Sequence, residues 1–269
     1  MTTTDLPQHA REVRRLALTT VHRASAGHAA ADMSAADILT TLYWDFLEVD
    51  PERPADPERD RFVCSKSHAS AALYSVLSTR GFLPEQELDS FGQPGSRLCL
   101  AVSCRLPGVE MSTGALGHGL PFAVGAALGA RLAGSSRRTV VLTGDGELQE
   151  GSNWEAVMFA ATRGLDNLIL VVDRNRVQKG ASTEEINALE PLEEKFRAFG
   201  WAVRDVDGHD TAALSESLAA APFAPGRPSC LLAETVKGKG VSFMENDLSW
   251  HSGRMSEEQF QQALGELEA

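Results

Sequence analysis

Two polar clusters carry the chemistry available to this chain: Gly144-Asp145-Gly146-Glu147, and Asn175, thirty positions after the aspartate in Val171-Val172-Asp173-Arg174-Asn175. Each directly follows a short β-branched apolar run, 139–143 and 168–172, which places both oxygen-bearing side chains at strand ends. A carboxylate and an amide oxygen held together suit one Mg²⁺, a cation that takes one or two protein oxygens and completes its shell with phosphates and water. Gly144 and Gly146 leave backbone N–H groups open to a phosphate. Taken alone, the same residues also fit a plain turn and a strand cap, so the surrounding elements decide.

The segment between the clusters reads as a crossover helix. Ser152 and Glu155 have capping-box spacing, and Trp154, Val157, Met158 and Ala161 recur with helical period. Strand, helix and strand in that order make a parallel βαβ unit, whose ligands bind beyond the carboxyl ends of the strands. The alternation continues: strand 139–143, helix 152–163, strand 167–173, helix 190–199, strand 201–206, helix 210–221 and strand 229–235 predict a four-strand parallel core. The later strands also end in polar loops, Asp207-Gly208-His209-Asp210 and Lys237-Gly238-Lys239-Gly240. Four loops at one edge predict a phosphate-sized site there. No Gly-Lys-Ser/Thr follows Gly144, which excludes the phosphate loop of nucleotide hydrolases, and no third glycine stands in register for a dinucleotide fingerprint.

Upstream, residues 8–47 read as helical, with a first amphipathic stretch around Val13, Leu16, Ala17 and Val21. A second helix is expected to open at Ser34 or Asp37 and to bury Ile38, Leu39, Leu42 and Phe46. A short strand at 61–65 and a helix at 70–80 follow. Gly117, Gly125 and Gly129, in the Gly- and Ala-rich stretch 114–134, predict close backbone packing around a helix start.

The whole chain of 269 residues is read as one α/β domain, 1–269, a parallel sheet flanked by helices. Its net charge of −12 argues against nucleic acid or an anionic membrane as partner, so any bound anion must be held locally. Residues 1–15 are polar and carry no apolar leader, and no stretch approaches a bilayer span, so a cytoplasmic location is expected. Cys64, Cys99, Cys104 and Cys230 follow neither zinc nor disulfide-framework spacing and are expected to be free buried thiols.

With these elements in place, the residues resemble transketolase, specifically the N-terminal half that split transketolases carry as a separate subunit. The resemblance covers nearly the whole chain. It rests on Ser25-Ala26-Gly27-His28, Arg59 to Ala69, Pro107 to Gly117, Gly144 to Glu155, Val172 to Gln178, Asp207 to Asp210, Thr235 to Val241 and Trp250-His251, in that order. It implies a thiamine diphosphate-binding fold and a transferase, dependent on thiamine diphosphate and Mg²⁺, that moves a two-carbon ketol unit from a ketose to an aldose. By the same resemblance Asp145, Asn175 and the carbonyl of Val177 would hold the metal, and Gly144, Gly146 and Glu147 would border the diphosphate. His68 and His251 would bond the diphosphate or the substrate beside it, and His28 the reacting hydroxyl of the donor. Those three histidines are the implied catalytic set. Gly114 and Leu116 would line the thiazolium side, and Glu150 would be a structural carboxylate at a subunit contact. His209 is expected to fix its loop, and His118 stands where the family has Gln.

The family's activating glutamate and pyrimidine pocket come from the following domain of an opposing subunit. The chain is therefore expected to work only with a C-terminal partner, as an α2β2 heterotetramer. Two departures bear on the substrate. Cys99-Leu100-Ala101-Val102 stands where the family carries Gly-His-Pro, so Ala101 replaces a histidine that contacts the donor, and Ser67 replaces the Gly before His68. A less polar acyl donor, a ketol unit handed to a carrier-bound acceptor, and a subunit that has lost turnover are all compatible with these changes. The α component of a 2-oxo acid dehydrogenase or decarboxylase, and a non-catalytic cofactor-binding partner subunit, remain as alternatives.

Overall fold

The computed structural model describes residues 5–268. The first four residues of the polar stretch 1–15 lie outside that range.

Helix α1 (Leu6–Ala24) starts at Asp5, whose side chain accepts from Gln8 N, and packs on α2 (Ala29–Thr41). α2 begins earlier than Ser34 or Asp37. His28 occupies its N-cap, and the two polar residues sit mid-helix, where Ser34 reaches Asp173 and Asp37 pairs with Arg14. Their residue types suggest helix openers because their usual role is capping; here distant charged partners hold them inside. Strand β1 (Arg61–Cys64) and helix α3 (Ser70–Thr79) follow, and then a long irregular stretch leads to α4 (Gly119–Leu132).

From there strands and helices alternate: β2 (Thr139–Gly144), α5 (Gly151–Thr162), β3 (Leu168–Arg174), the short α6 (Thr183–Asn187) and α7 (Leu192–Ala198), β4 (Ala202–Asp207), α8 (Thr211–Ala219), β5 (Ser229–Glu234), and the terminal α9 (Glu257–Glu268). The helix expected at 190–199 is thus shorter, with α6 unforeseen before it. α6 carries a complete capping box between Ser182 and Glu185. The box expected at Ser152 and Glu155 does not form: Ser152 lies inside α5 and its hydroxyl donates to Gly117 O at 2.6 Å.

All strand pairs are parallel, in the order β1-β2-β3-β5-β4. The sheet has five strands rather than four, because the short strand at Arg61 pairs with β2. Parallel strands covered on both faces read as continuous apolar runs, and β3 is buried from end to end. Its alternate residues serve two cores. Ile169 and Val171 face the layer of α1, α2, α3 and α8, and Leu170 and Val172 face that of α4, α5 and α7. This three-layer arrangement brings every strand's carboxyl end to one edge.

Gly117 and Gly119 do allow close approach: a Cβ at Gly119 would lie 2.3 Å from Ser65 Oγ, and one at Gly117 would lie 2.6 Å from Glu150 Cβ. Gly125 and Gly129 do not, since a Cβ on either would meet nothing within 4 Å among the described residues. Only Cys64 and Cys230 are buried; Cys99 is half-buried and Cys104 exposed, all four free. Among the described residues no helix is long and apolar enough to cross a membrane.

Candidate active site

β2 ends at Gly144, in register with Asp173 of β3, so the two polar clusters begin side by side. Asp145 then opens a short 3₁₀ turn, and its Oδ1 accepts from Gly146 N at 2.7 Å. Its Oδ2 accepts from Arg176 N at 2.6 Å and from Arg174 Nη1 at 3.2 Å. Burial pushes the Asp145 carboxyl up to about 6, against the hydrogen bond from Arg176 N and with the charge of Asp173 adding to the rise. Asn175 follows β3 directly. Its Nδ2 donates to Asp173 Oδ1 at 3.2 Å and its Oδ1 accepts from Val177 N at 3.1 Å. A Cβ on Gly146 would sit 2.5 Å from Gln178 Oε1, so any side chain there would displace the end of Gln178.

Beneath this pair runs a buried ionic network. Lys66 Nζ, at the end of β1, donates to Asp173 Oδ2, to Ser34 Oγ at 2.8 Å and to Ala31 O at 3.1 Å. Thr235 donates to the other oxygen of Asp173. Burial works against the Asp173 charge, but Lys66 and these hydrogen bonds outweigh it and hold the carboxyl below its ordinary value. Asp173 is thereby a fixed anchor for the Asn175 amide.

Across the opening stand three imidazoles. His28 is the N-cap of α2, His68 lies in the turn between β1 and α3, and His251 ends a 3₁₀ turn at Leu248–His251. Their ring centroids form a nearly equilateral triangle: 5.7 Å from His28 to His68, 5.6 Å from His28 to His251 and 5.8 Å from His68 to His251. Burial lowers all three, with Lys237 adding for His28, Lys66 for His68 and Lys237 for His251, which falls to about 4. The rings are accordingly neutral near pH 7 and act as hydrogen-bond donors and acceptors rather than as cations. Lys237 Nζ lies 2.8 Å from His251 Nδ1. An ammonium only donates, so His251 Nδ1 accepts and its proton sits on Nε2. His28 Nδ1 is buried and has no hydrogen-bond partner among the described residues. Burial, then the charge of Lys66, brings Lys237 down to about 8.

These groups line one cavity of about 550 Å³. It gathers His28, His68, His251, Gly114, Leu116, Gly144, Asp145, Gly146, Glu147, Asn175 and Val177, the full set expected from the sequence, with Ala101 beside them. Glu147 differs in how it is used. Its carboxylate accepts from Ser65 Oγ, from Gly117 N at 3.0 Å and from Gly144 N at 3.4 Å, so it braces two strand ends. His118 does not line the cavity; its Nδ1 meets Leu116 O at 2.9 Å. The loop after β4 stays outside as well, because β5 stands between β4 and the β2–β3 pair whose ends carry Asp145 and Asn175. His209 there fixes its loop, through Asp37 Oδ2 at 2.7 Å and by accepting from Val236 N at 2.8 Å. Lys66, Lys237, Gln178 and Lys179 also line the cavity, and sequence reasoning assigns none of them a role. Lys66 and Lys237 lie inside the motifs that carry the family resemblance, and that is the signal by which they could be found.

The donor set is hard oxygen with a single carboxylate, which fits Mg²⁺ only if an anionic ligand completes the shell. No cluster of three or more His, Cys, Asp or Glu side chains suited to a metal occurs among the described residues. Lys237 and the unpartnered His28 nitrogen provide what an anionic, oxygen-rich ligand needs.

Known proteins match this chain along its length. The family described as transketolase, thiamine diphosphate binding domain, matches residues 7–267. A 6-deoxy-6-sulfo-D-fructose transketolase subunit of a Clostridium species is 42% identical over 265 residues, 98% of this chain and 96% of that one. An apulose-4-phosphate transketolase subunit of Phocaeicola vulgatus is 40% identical, over 92% of this chain and 88% of that one. The solved transketolase of Campylobacter jejuni superposes with a TM-score of 0.90 at 32% identity, over 100% of this chain and 43% of the other. The chain thus spans well under half of that solved enzyme and most of the length of the two subunits.

Proposed function

The chain belongs to the transketolase thiamine diphosphate-binding domain family, and on that premise we propose that it is the diphosphate- and Mg²⁺-holding subunit of a two-component transketolase-type enzyme. The enzyme moves a two-carbon ketol or acyl unit from a ketose-like donor to an aldehyde or carrier-bound acceptor. One observation carries this reading: Asp145 and Asn175 directly follow adjacent strand ends and, with Val177, line one cavity together with three neutral imidazoles.

Asp145, Asn175 and Val177 O would hold Mg²⁺, with Lys237 beside the diphosphate and Gly146 N–H, which donates to Asp145 Oδ1 in this structure, available to it once the metal takes that oxygen. Thiamine diphosphate, when bound, supplies the carbon that carries the two-carbon unit. The chain's own groups bind, orient and move protons. His251, with its proton on Nε2, donates to an anionic oxygen in the cavity. His28, with one buried nitrogen free, is placed to accept a proton from a substrate hydroxyl, and His68 completes the triangle at similar distance from both. Imidazoles held neutral by burial suit this work because each offers one N–H donor and one nitrogen acceptor. Burial strengthens each of these hydrogen bonds.

The similar proteins named as subunits support a second chain as partner, which we take to be a C-terminal transketolase-type subunit in an α2β2 assembly in the cytoplasm. The test is to assay ketol transfer with the purified chain, the partner, and both. Turnover only with both is expected; full turnover by this chain alone would overturn the split-site reading.

A further inference from the structure

Consecutive residues in the first turn of α2 tie down the elements that bring the imidazoles together. Ala30 O accepts from Gly238 N at 2.9 Å, next to the Lys237 that meets His251. Ala31 O accepts from Lys66 Nζ at 3.1 Å, just before His68 in the chain. Asp32 Oδ1 accepts from Ala72 N at 2.8 Å, in the first turn of α3, the helix that directly follows the His68 turn. His28 caps the same turn of α2 through its backbone carbonyl, which accepts from Ala31 N at 2.8 Å and from Asp32 N at 3.1 Å. One helix end thus frames the triangle of rings.

Ala30 and Ala31 make their tethers with main-chain carbonyls, which no side-chain substitution removes. Asp32 makes its tether with a side chain, and α3 depends on it. The N-cap position of α3 is Ala69, which offers no side-chain acceptor, so Ala72 N takes its cap from Asp32 of α2. Asp32 and Ala72 are both buried, and water does not replace that acceptor. The packing around it cannot do the same work. Ala29, Ala30, Ala36, Ala71 and Ala72 share one apolar core, and apolar burial is non-directional: it presses α3 against α2 without fixing how far one slides along the other. A hydrogen bond has both a length and a direction.

We propose that Asp32 is a positioning residue: by capping α3 from α2 it sets the separation of His28 and His68, and with it the geometry in which the site moves protons. It does not line the cavity and acts only through the two helices. The inference rests on the reading above, in which these histidines work on one substrate.

The test measures kcat and donor KM for ketol transfer, and coenzyme affinity by calorimetry, in the chain assembled with its partner, together with the denaturation midpoint of the chain. Asp32→Ala should lower kcat by about 10- to 100-fold, the scale set by misplacing a catalytic group, with a much smaller change in KM. Asp32→Asn keeps an acceptor oxygen for Ala72 N and should stay within about threefold of the wild type. Ala69→Ser offers α3 a cap of its own. Taken relative to Ala69→Ser, the Asp32→Ala, Ala69→Ser double variant should recover the midpoint lost in Asp32→Ala but not kcat, because the new cap does not reach α2. Recovery of kcat along with the midpoint, or an unchanged kcat in Asp32→Ala, overturns this inference alone. A wild-type assembly that binds no coenzyme or transfers no ketol unit overturns the reading beneath it. If Asp32→Ala does not fold, the double variant decides the matter.

Discussion

Arg174 Nη1 donates to Asp145 Oδ2 at 3.2 Å, so the carboxylate proposed to meet a metal already faces a buried guanidinium. The other terminal nitrogen of Arg174 reaches Glu184 Oε1 at 3.1 Å and Glu190 Oε1 at 2.6 Å, tying the segment around α6 to the site.

Arg174→Met removes that counter-charge while Asp173 remains beside Asp145. Removing one member of a buried ionic cluster costs about 3 kcal/mol or more. Denaturant unfolding of the metal-free variant should show a loss of that order. A loss below about 1 kcal/mol would mean that solvent reaches Asp145 more freely than its 2% exposure implies.

Lys66→Met should be equally severe, because Asp173 is completely buried and would be left without its cation. Replacing both partners with apolar residues removes the uncompensated charge. The Lys66→Met, Asp173→Leu double variant should therefore unfold at a higher denaturant concentration than Lys66→Met alone.

Asp32 gives a pH-dependent prediction. One oxygen accepts from Ala72 N at 2.8 Å, and the other is buried with no partner among the described residues. Burial raises this carboxyl to about 8, against the hydrogen bond from Ala72 N and the charge of Lys66. A raised acid binds its proton more tightly in the folded state, so its contribution to stability is full below its ordinary value near 4. That contribution is lost as pH rises toward 8, by at most about 1.4 kcal/mol per pH unit. Asp32→Asn keeps the acceptor for Ala72 and has no proton to lose. Unfolding free energies measured from about pH 5 to 9, a window spanning the shift, should move steadily in favour of the variant; parallel curves would contradict the assignment.

Two glycine substitutions separate tight from open positions. Gly119→Ala drives a Cβ onto the Ser65 side chain and to 2.9 Å from its Cα, where backbone would have to move, and should cost more than about 2 kcal/mol. Gly129→Ala fills open space on the exposed side of α4 and should raise the stability of the isolated subunit by about 0.5–1 kcal/mol. Thermal unfolding of both variants checks the contrast.

The sheet and the placement of Asp145 and Asn175 at adjacent strand ends were legible because β-branched runs ending in Gly-Asp-Gly and in Asn carry a local pattern that the fold preserves. What escaped was decided at long range. Ser34 and Asp37 look like caps until Asp173 and Arg14, far away in sequence, are seen to satisfy them. The loop after β4 resembles its neighbours in composition. Only strand order, with β5 between β4 and the β2–β3 pair, takes it out of the cavity. Ser152 fits a capping signature, but the carbonyl of Gly117 captures its hydroxyl. Lys66 and Lys237 gave no signal as single lysines, because their importance comes from burial beside Asp173 and His251.

Calorimetric titration of thiamine diphosphate with Mg²⁺ into the assembled protein, wild type against Asp145→Asn, tests the central claim most directly. Loss of the carboxylate should weaken coenzyme affinity at least tenfold, about 1.4 kcal/mol. Undiminished affinity in the Asp145→Asn assembly would contradict it.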